Sequence, residues 1–306
     1  MSITLATFNV WFNEYHIYER ISHIIIEILE SKPRISVIAL QEITPKIFEF
    51  LLQSPLKSHY NFANPENRLT SHYDVIILVD KTYKINQFIK QPFNNTKMAR
   101  NIEIVSITHI KTKKHFLVAT SHLESEFFNK SIKKTNETIN DNNNLNNNLN
   151  NIINENSNKI KQFQESFDLL EKLNQSHKFN YDLIVFMGDM NITDIEEDLF
   201  SKNTPNDWKD YFIEFGSPKY LEFTYDHTKN NNTYYNKKSR LDRIYYKTNQ
   251  PKEPKETKEL KELKELKELK EKLLEPYSFT FLGQEPAKGK LFHSDHFGLV
   301  ATFLES

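Results

Sequence analysis

Short apolar runs rich in β-branched residues recur along this chain, and most of them stop at a small cluster of polar side chains. Runs of this length and composition read as buried strands, with their polar ends released from the core toward a cleft. Residues 3–10 form one such strand, ending at Thr7-Phe8-Asn9. Residues 35–40 end at Gln41-Glu42, residues 115–121 run into Ser121-His122-Leu123-Glu124-Ser125, and residues 181–187 stop at Gly188-Asp189-Met190-Asn191. Strands are also expected over 73–79, 102–110, 241–246, 277–282 and 298–303, with a turn at 111–114. Leu241-Asp242-Arg243 opens one of these, and Ser294-Asp295-His296 precedes the last. Between the strands, residues 19–30 place Ile21, Ile24, Ile25 and Ile28 on one helical face, and residues 160–173 do the same with Ile160, Phe163, Phe167, Leu170 and Leu173. The pattern predicts an α/β chain.

Two biased segments interrupt it. Residues 135–158 are dominated by asparagine, a poor helix and strand former with little to bury, and read as a disordered surface insertion. Residues 252–272 repeat Lys-Glu-Leu, with leucines at 260, 263, 266 and 269. A three-residue repeat drifts around a helix by roughly 60° per step, so this is no coiled-coil seam. It reads as a solvated, partly helical insertion, the alternative being a partner-binding or self-association helix. Without both segments roughly 250 residues remain, the upper end of one catalytic domain spanning 1–306.

Composition narrows the partners. Lys plus Arg is 40 against 41 Asp plus Glu, so the chain lacks the basic excess of a non-specific nucleic-acid binder, and any phosphate contact must be local. Cysteine is absent, which removes disulfides and thiolate metal sites and fits a reducing compartment. No apolar run reaches the ~18 residues of a membrane helix, and residues 1–10 are too short and polar for a signal peptide. An intracellular monomer with no membrane partner is the expectation.

The polar clusters carry the chemistry. Strand ends that converge gather Asn9, Glu42, His122, Asp189, Asn191, Asp242 and the Asp295-His296 pair into one cleft. Hydrolysis of a phosphodiester needs charge neutralisation, a positioned water and a stabilised leaving oxygen. Glu42 among oxygen donors suits magnesium, with manganese as a substitute, acting as a Lewis acid. Asp189 suits the role of base or orienter for the water, Asn191 that of a neutral donor to phosphate. His296, its tautomer or charge fixed by Asp242, can donate to the phosphate. Each cluster alone is weak, since Gly-Asp-x-Asn is commonly just a turn; it is the set, in this order, that points to phosphoester chemistry.

In this order, Thr-x-Asn, Gln-Glu, His-x-Glu, Gly-Asp-x-Asn, Asp-Arg and Ser-Asp-His resemble the endonuclease/exonuclease/phosphatase superfamily, from Thr7 to Val300 apart from the insertions. The resemblance implies a four-layer α/β sandwich with two central mixed sheets flanked by helices. A narrower resemblance, to the 5′-tyrosyl-DNA phosphodiesterase branch, rests on Thr96-Lys97-Met98-Ala99-Arg100-Asn101, Thr120-Ser121-His122-Leu123-Glu124-Ser125, Phe215-Gly216-Ser217-Pro218-Lys219, Phe223-Thr224-Tyr225-Asp226 and Arg240-Leu241-Asp242-Arg243-Ile244-Tyr245. It implies removal of tyrosine, or a topoisomerase II-derived peptide, from DNA 5′ ends in nuclear DNA repair. Asn9 would then bind phosphate or metal, Glu42 would hold magnesium, and Asp189 would be the acid/base. Asn191 and His296 would contact the scissile phosphate, supported by Asp242 and Asp295. Residues 122–125 would line the DNA 5′ end, Tyr225 and Leu241 the nucleotide wall, and Arg100 the phosphate or peptide side. Departures from the branch are Trp11, Thr193, Tyr225 and Leu241, which stand where an acid, an arginine, a tryptophan and a phenylalanine are usual. The chain opens on its first core strand, so the ubiquitin-binding segment of some members is not expected. Competing readings are a nuclease or inositol phosphatase of the same superfamily, and a catalytically inactive binding scaffold.

Overall fold

The computed structural model describes residues 1–125, 157–176, 178–249, 273–287 and 289–305. The Lys-Glu-Leu repeat, and the Asn-rich stretch except for Ser157 and Asn158, lie outside the described residues.

The strands in chain order are β1 (Ser2–Asn9), β2 (Val37–Ile43), β3 (Tyr60–Phe62), β4 (Asp74–Asp80), β5 (Tyr83–Pro92), β6 (Asn101–His109), β7 (His115–His122), β8 (Leu183–Asp189), β9 (Lys209–Asp210), β10 (Tyr225–Asp226), β11 (Lys238–Ser239), β12 (Asp242–Thr248), β13 (Leu274–Leu282) and β14 (Gly298–Glu305). They form two six-stranded sheets, ordered β13-β14-β1-β2-β4-β3 and β5-β6-β7-β8-β12-β9, plus the ribbon β10-β11. The two large sheets are built alike. Each has a central parallel pair, β1 with β2 and β7 with β8, and each carries an antiparallel strand, β14 or β12, beside β1 or β8.

Alternation along the strands makes the layers, because successive side chains point to opposite faces. Ile3, Leu5, Val37 and Ala39 meet Val105, Val118, Val185 and Met187 between the sheets. The other face of the first sheet, with Ala6, Phe8, Ile38 and Leu40, is covered by helix Ile17–Glu30 and helix Pro45–Gln53. Helix Asn158–Gln175 covers the second sheet through Ile160, Phe163, Phe167 and Leu170. Isoleucine is an indifferent helix former, so helix Ile17–Glu30 is held mainly by burying Ile17, Ile21, Ile24, Ile25 and Ile28, each contributing about 1.5–3 kcal/mol. The result is the expected four-layer sandwich.

Two local features aim the strand ends. In β2 the register with β4 shifts between Leu40 and Ile43, and Glu42 adopts φ 63°. The strand therefore continues through Glu42 rather than stopping before it, and the bulge turns this side chain away from the regular pleat. In β8, Gly188 lies so close to β7 that an added Cβ would meet the Ser121 carbonyl oxygen at 2.0 Å. The glycine of Gly-Asp-x-Asn is thus fixed by strand packing, and it delivers Asp189 to the mouth of the sheets.

Candidate active site

The carboxyl ends of β1, β2, β7 and β8 converge, and a buried polar bridge beneath them sets the spacing. Gln41 Nε2 donates to Thr7 Oγ1 at 3.0 Å in its own sheet and to Thr120 Oγ1 at 3.1 Å in the other. One step further along, Asn9 Nδ2 donates across the sheets to Asp189 Oδ2 at 2.9 Å. The expected Thr-x-Asn and Gln-Glu clusters therefore divide their labour: Thr7 and Gln41 tie the sheets together, while Asn9 and Glu42 face the cleft.

Asp189 is the centre. Its Oδ1 accepts the Asn191 amide at 2.9 Å, and its Oδ2 lies 3.3 Å from His122 Nε2 and 3.8 Å from His296 Nε2. Burial raises its pKa, with Asp242 adding to the effect, against the opposing pull of His296 and the bonds from Asn9 and Asn191. His296 Nδ1 lies 2.8 Å from Asp242 Oδ2. Burial disfavours charge on this ring, but Asp242, Asp189 and Asp295 together outweigh it, and its pKa stands well above the usual histidine range. The carboxylates around it thus favour the imidazolium form. His122 is the opposite case: burial, then Arg100 and His296, hold it well below that range and keep it neutral. Two histidines in one cleft thus carry different charges.

Glu42 and Asp295 form the acidic rim. Glu42 Oε1 accepts the Tyr73 hydroxyl at 2.6 Å and its Oε2 accepts the Phe12 amide at 2.9 Å. Asp295 is pushed up to about 7 by burial, against the pull of His296 and with repulsion from Glu42 and Asp189. Acids that crowd one another among oxygen donors fit a hard divalent cation such as magnesium or manganese. Asp189, Asp242 and His296 also place ligand atoms within 4.8 Å of one another. Either this group, with its histidine ring deprotonated, or Glu42 with Asp295 could hold the cation.

Several side chains assigned to substrate are placed otherwise. The Leu123 side chain is fully buried in the core, and only its main chain reaches the site, the carbonyl accepting Asn191 Nδ2 at 3.0 Å and the amide donating to the Asp189 carbonyl at 2.9 Å. Glu124 Oε1 is engaged by Thr96 Oγ1, Lys97 N and Met98 N, so it braces the loop before β6 instead of facing a ligand. Leu241 is buried, with its amide on Thr224 Oγ1. Tyr225 is only 6% exposed; its hydroxyl accepts the Tyr234 and Tyr235 amides and its ring meets His296 edge-on at 5.5 Å. It is a strut behind the His296 ring and offers no open stacking face. Ser125 is half-buried.

Arg100 does line the cleft, its Nη2 3.3 Å from His122 Nε2 and its guanidinium 4.8 Å from the Tyr73 ring centre. Tyr73 is a site residue that the sequence pattern marks only as the start of a strand. Arg20 escapes that pattern as well. It is fully buried, and its guanidinium donates to the carbonyls of Val10, Trp11, Asn13, Tyr15 and His293, binding the loop after β1 to the loop carrying Asp295 and His296. In sequence, an arginine next to Glu19 in a first helical turn looks like a solvated residue, and nothing marks it out.

Comparison with known proteins agrees with this geometry. The chain is 26% identical over 274 residues to tyrosyl-DNA phosphodiesterase 2 of Mus musculus, covering 87% of this chain and 56% of that protein. It is 25% identical over 267 residues to the Homo sapiens protein of the same name, covering 86% and 58%. It thus spans a little over half the length of the curated relatives it matches. Among solved structures, truncated Caenorhabditis elegans TDP2 matches with a TM-score of 0.70 at 19% identity, covering 99% of this chain and 98% of that one. D. rerio TDP2 complexed with single strand DNA product matches with a TM-score of 0.70 at 18% identity, covering 99% of both chains. At such identities these likenesses establish the fold. The endonuclease/exonuclease/phosphatase family itself matches residues 6–254, the stretch that holds Asn9, Glu42, Asp189 and Asp242, and the chain belongs to that family.

Proposed function

We propose that this protein is a divalent-metal-dependent phosphodiesterase that hydrolyses the bond between a tyrosine side chain and a DNA 5′ phosphate. The observation that carries the chemistry is Asp189, buried between Asn9, the Asn191 amide and the His296 imidazolium. Asp189 takes the proton of the attacking water; burial makes it a stronger base than an ordinary aspartate, while the neighbouring donors keep its ionised form accessible. His296, with its charge secured by Asp242, faces the negative charge that grows on the phosphoryl oxygens. Asn9 and Asn191 orient the carboxylate. Glu42 with Asp295 would hold magnesium or manganese, which would supply Lewis-acid neutralisation of the phosphate and leaving-oxygen charge. Beyond His122, the guanidinium of Arg100 over the Tyr73 ring gives that side of the cleft a cation and an aromatic face, a surface suited to an aryl leaving group.

The relatives' names support the tyrosyl-DNA substrate. On this reading the ends come from trapped type II topoisomerase, and the role extends to DNA repair in the nucleus. Among the described residues no helix is long and apolar enough to cross a membrane. The test is single-turnover cleavage of a 5′-tyrosyl oligonucleotide with magnesium, against a 3′-tyrosyl oligonucleotide, an abasic duplex and inositol polyphosphates. Fastest cleavage of the 5′-tyrosyl end, abolished by chelation, is expected. Preference for any other substrate overturns the substrate reading, and turnover unaffected by chelation overturns the metal.

A further inference from the structure

We infer that Lys159 is a positioning residue for Asp189, acting through the backbone of Asn191; this rests on the phosphodiesterase reading above. Lys159 is the second residue of helix Asn158–Gln175 and is only 2% exposed. A lysine this buried needs its charge matched, and Glu196 does so, with Nζ 2.7 Å from Oε1 and 2.8 Å from Oε2. Yet Glu196 is already well supplied, since its Oε2 also accepts the Thr193 amide at 2.9 Å and the Thr193 hydroxyl at 2.7 Å. Its Nζ also lies 5.9 Å from the Phe200 ring centre, but the remaining hydrogen bond is the informative contact. Its Nζ donates to the main-chain oxygen of Asn191 at 2.7 Å.

Asn191 adopts φ 51°, the left-handed region that is uncommon for non-glycine residues and entered most readily by asparagine and aspartate. It is held from three sides: its amide gives to Asp189 Oδ1 at 2.9 Å, its Nδ2 gives to the Leu123 carbonyl at 3.0 Å, and its carbonyl receives Lys159. If Asn191 relaxed to an ordinary backbone conformation, Asp189 would lose the amide that fixes Oδ1. The ammonium therefore clamps the far side of the same residue whose near side orients the base. Thr193, where the tyrosyl-DNA branch usually has arginine, serves this clamp by capping onto Glu196. A misplacement of the order of 1 Å at a reacting group can lower turnover about 10²-fold, so the clamp has room to matter.

The experiment uses the full chain as Lys159→Met, Lys159→Arg and the double variant Lys159→Met/Glu196→Gln. Lys159→Met leaves Glu196 as a buried unpaired charge, so it should lower both Tm and kcat. Glu196→Gln in that background removes the stranded charge and should restore most of the Tm. It should not restore kcat, expected to stay about 10²-fold down with KM little changed, while Lys159→Arg recovers much of the rate. Hydrogen–deuterium exchange over 188–193 should be faster in the double variant despite its recovered Tm. Recovery of kcat together with Tm, or unchanged exchange over 188–193, makes Lys159 merely structural and overturns the proposal. Both a 5′-tyrosyl oligonucleotide and the p-nitrophenyl ester of thymidine 5′-monophosphate serve as substrates, with the same fold loss expected on each. Cleavage of the ester but not the oligonucleotide by the unsubstituted protein removes the tyrosyl-DNA reading and leaves the Lys159 comparison standing. If neither is cleaved, the exchange measurement decides.

Discussion

Replacing Asp242 by asparagine isolates the charge on His296 while keeping the shape of the site. Asp242 is fully buried; its Oδ2 faces His296 Nδ1 at 2.8 Å, and its Oδ1 finds no hydrogen-bond partner among the described residues. Three carboxylates sustain the imidazolium: Asp242 at 2.8 Å, Asp189 at 3.8 Å and, with the smallest influence, Asp295. Coulomb energies in one dielectric scale inversely with distance, so Asp242 outweighs Asp189 by 3.8/2.8, about 1.4-fold. The neutral amide thus removes the largest single share of what overcomes the burial penalty, and His296 falls toward the neutral ring. Loss of one preorganised electrostatic contact to a transition state typically lowers kcat about 10²–10³-fold, or about 2.7–4 kcal/mol. The sign in pH follows. In the native protein His296 stays charged across the neutral range, so kcat/KM rises with pH as the base ionises and then holds. In Asp242→Asn the ring loses its proton as pH rises through its lowered pKa, so the profile gains a falling limb and the deficit widens toward alkaline pH. The assay is kcat/KM from mildly acidic to mildly alkaline pH with saturating magnesium, alongside a melting curve to confirm folding. A profile of native shape, merely displaced downward, would falsify the argument that Asp242 acts by charging His296.

Three further outcomes are expected. Glu42→Gln should weaken magnesium activation and lower turnover by orders of magnitude without altering the fold, and near-native turnover at ordinary magnesium would remove Glu42 from the metal site. Tyr225→Phe should destabilise by about 1–3 kcal/mol, since two backbone amides lose their acceptor; an unchanged denaturant midpoint with weakened DNA binding would mean that Tyr225 touches substrate after all. Glu103, raised to about 7 by burial despite Lys90, is neutral in the fold over a range where the unfolded chain ionises it. Its contribution is therefore full below about 4.5 and lost as pH climbs to about 7, and Glu103→Gln should gain Tm on the native protein across that window; a constant difference there refutes the assignment.

The fold and much of the site could be read from sequence because both depend on short-range patterns. Apolar runs of strand length end where Asn9, His122 and Asp189 leave the core, and the helical periodicities over 19–30 and 160–173 match helices Ile17–Glu30 and Asn158–Gln175. The misses have a common physical source. β5, Tyr83–Pro92, alternates polar and apolar residues at a half-exposed sheet edge, so no hydrophobic run announces it. Tyr73, Arg20 and Lys159 act through single long side chains that reach a partner distant in sequence, and periodicity is blind to reach. The opposite error befalls Glu124, Tyr225 and Leu241. Their strings point to the right neighbourhood, but which side of the backbone faces the cleft is decided by packing. The expectation for the Lys-Glu-Leu repeat, and for the Asn-rich stretch up to residue 156, concerns segments outside the described residues.

The division of the site between the sheets has a consequence for how stability and activity are linked. The first sheet supplies Asn9 and Glu42 and, through the loop before β14, Asp295 and His296; the second supplies His122, Asp189, Asn191 and Asp242. Two of its central contacts cross from one sheet to the other. Asn9 reaches across to Asp189, and His296 reaches across to Asp242. The bridge of Thr7, Gln41 and Thr120 lies directly beneath these crossings and has no solvent exposure. Its hydrogen bonds, buried and mutually satisfied, specify how far the sheets stand apart more than they add to stability. The apolar layer between the sheets tolerates volume-conserving exchange with modest loss, because such cores repack. The bridge has no such latitude: Gln41→Leu would fill the space yet leave Thr7 and Thr120 without the amide that joins them. Inter-sheet spacing at the mouth, and with it the field that His296 and Asp189 exert on each other, therefore depends on three uncharged residues buried beneath them.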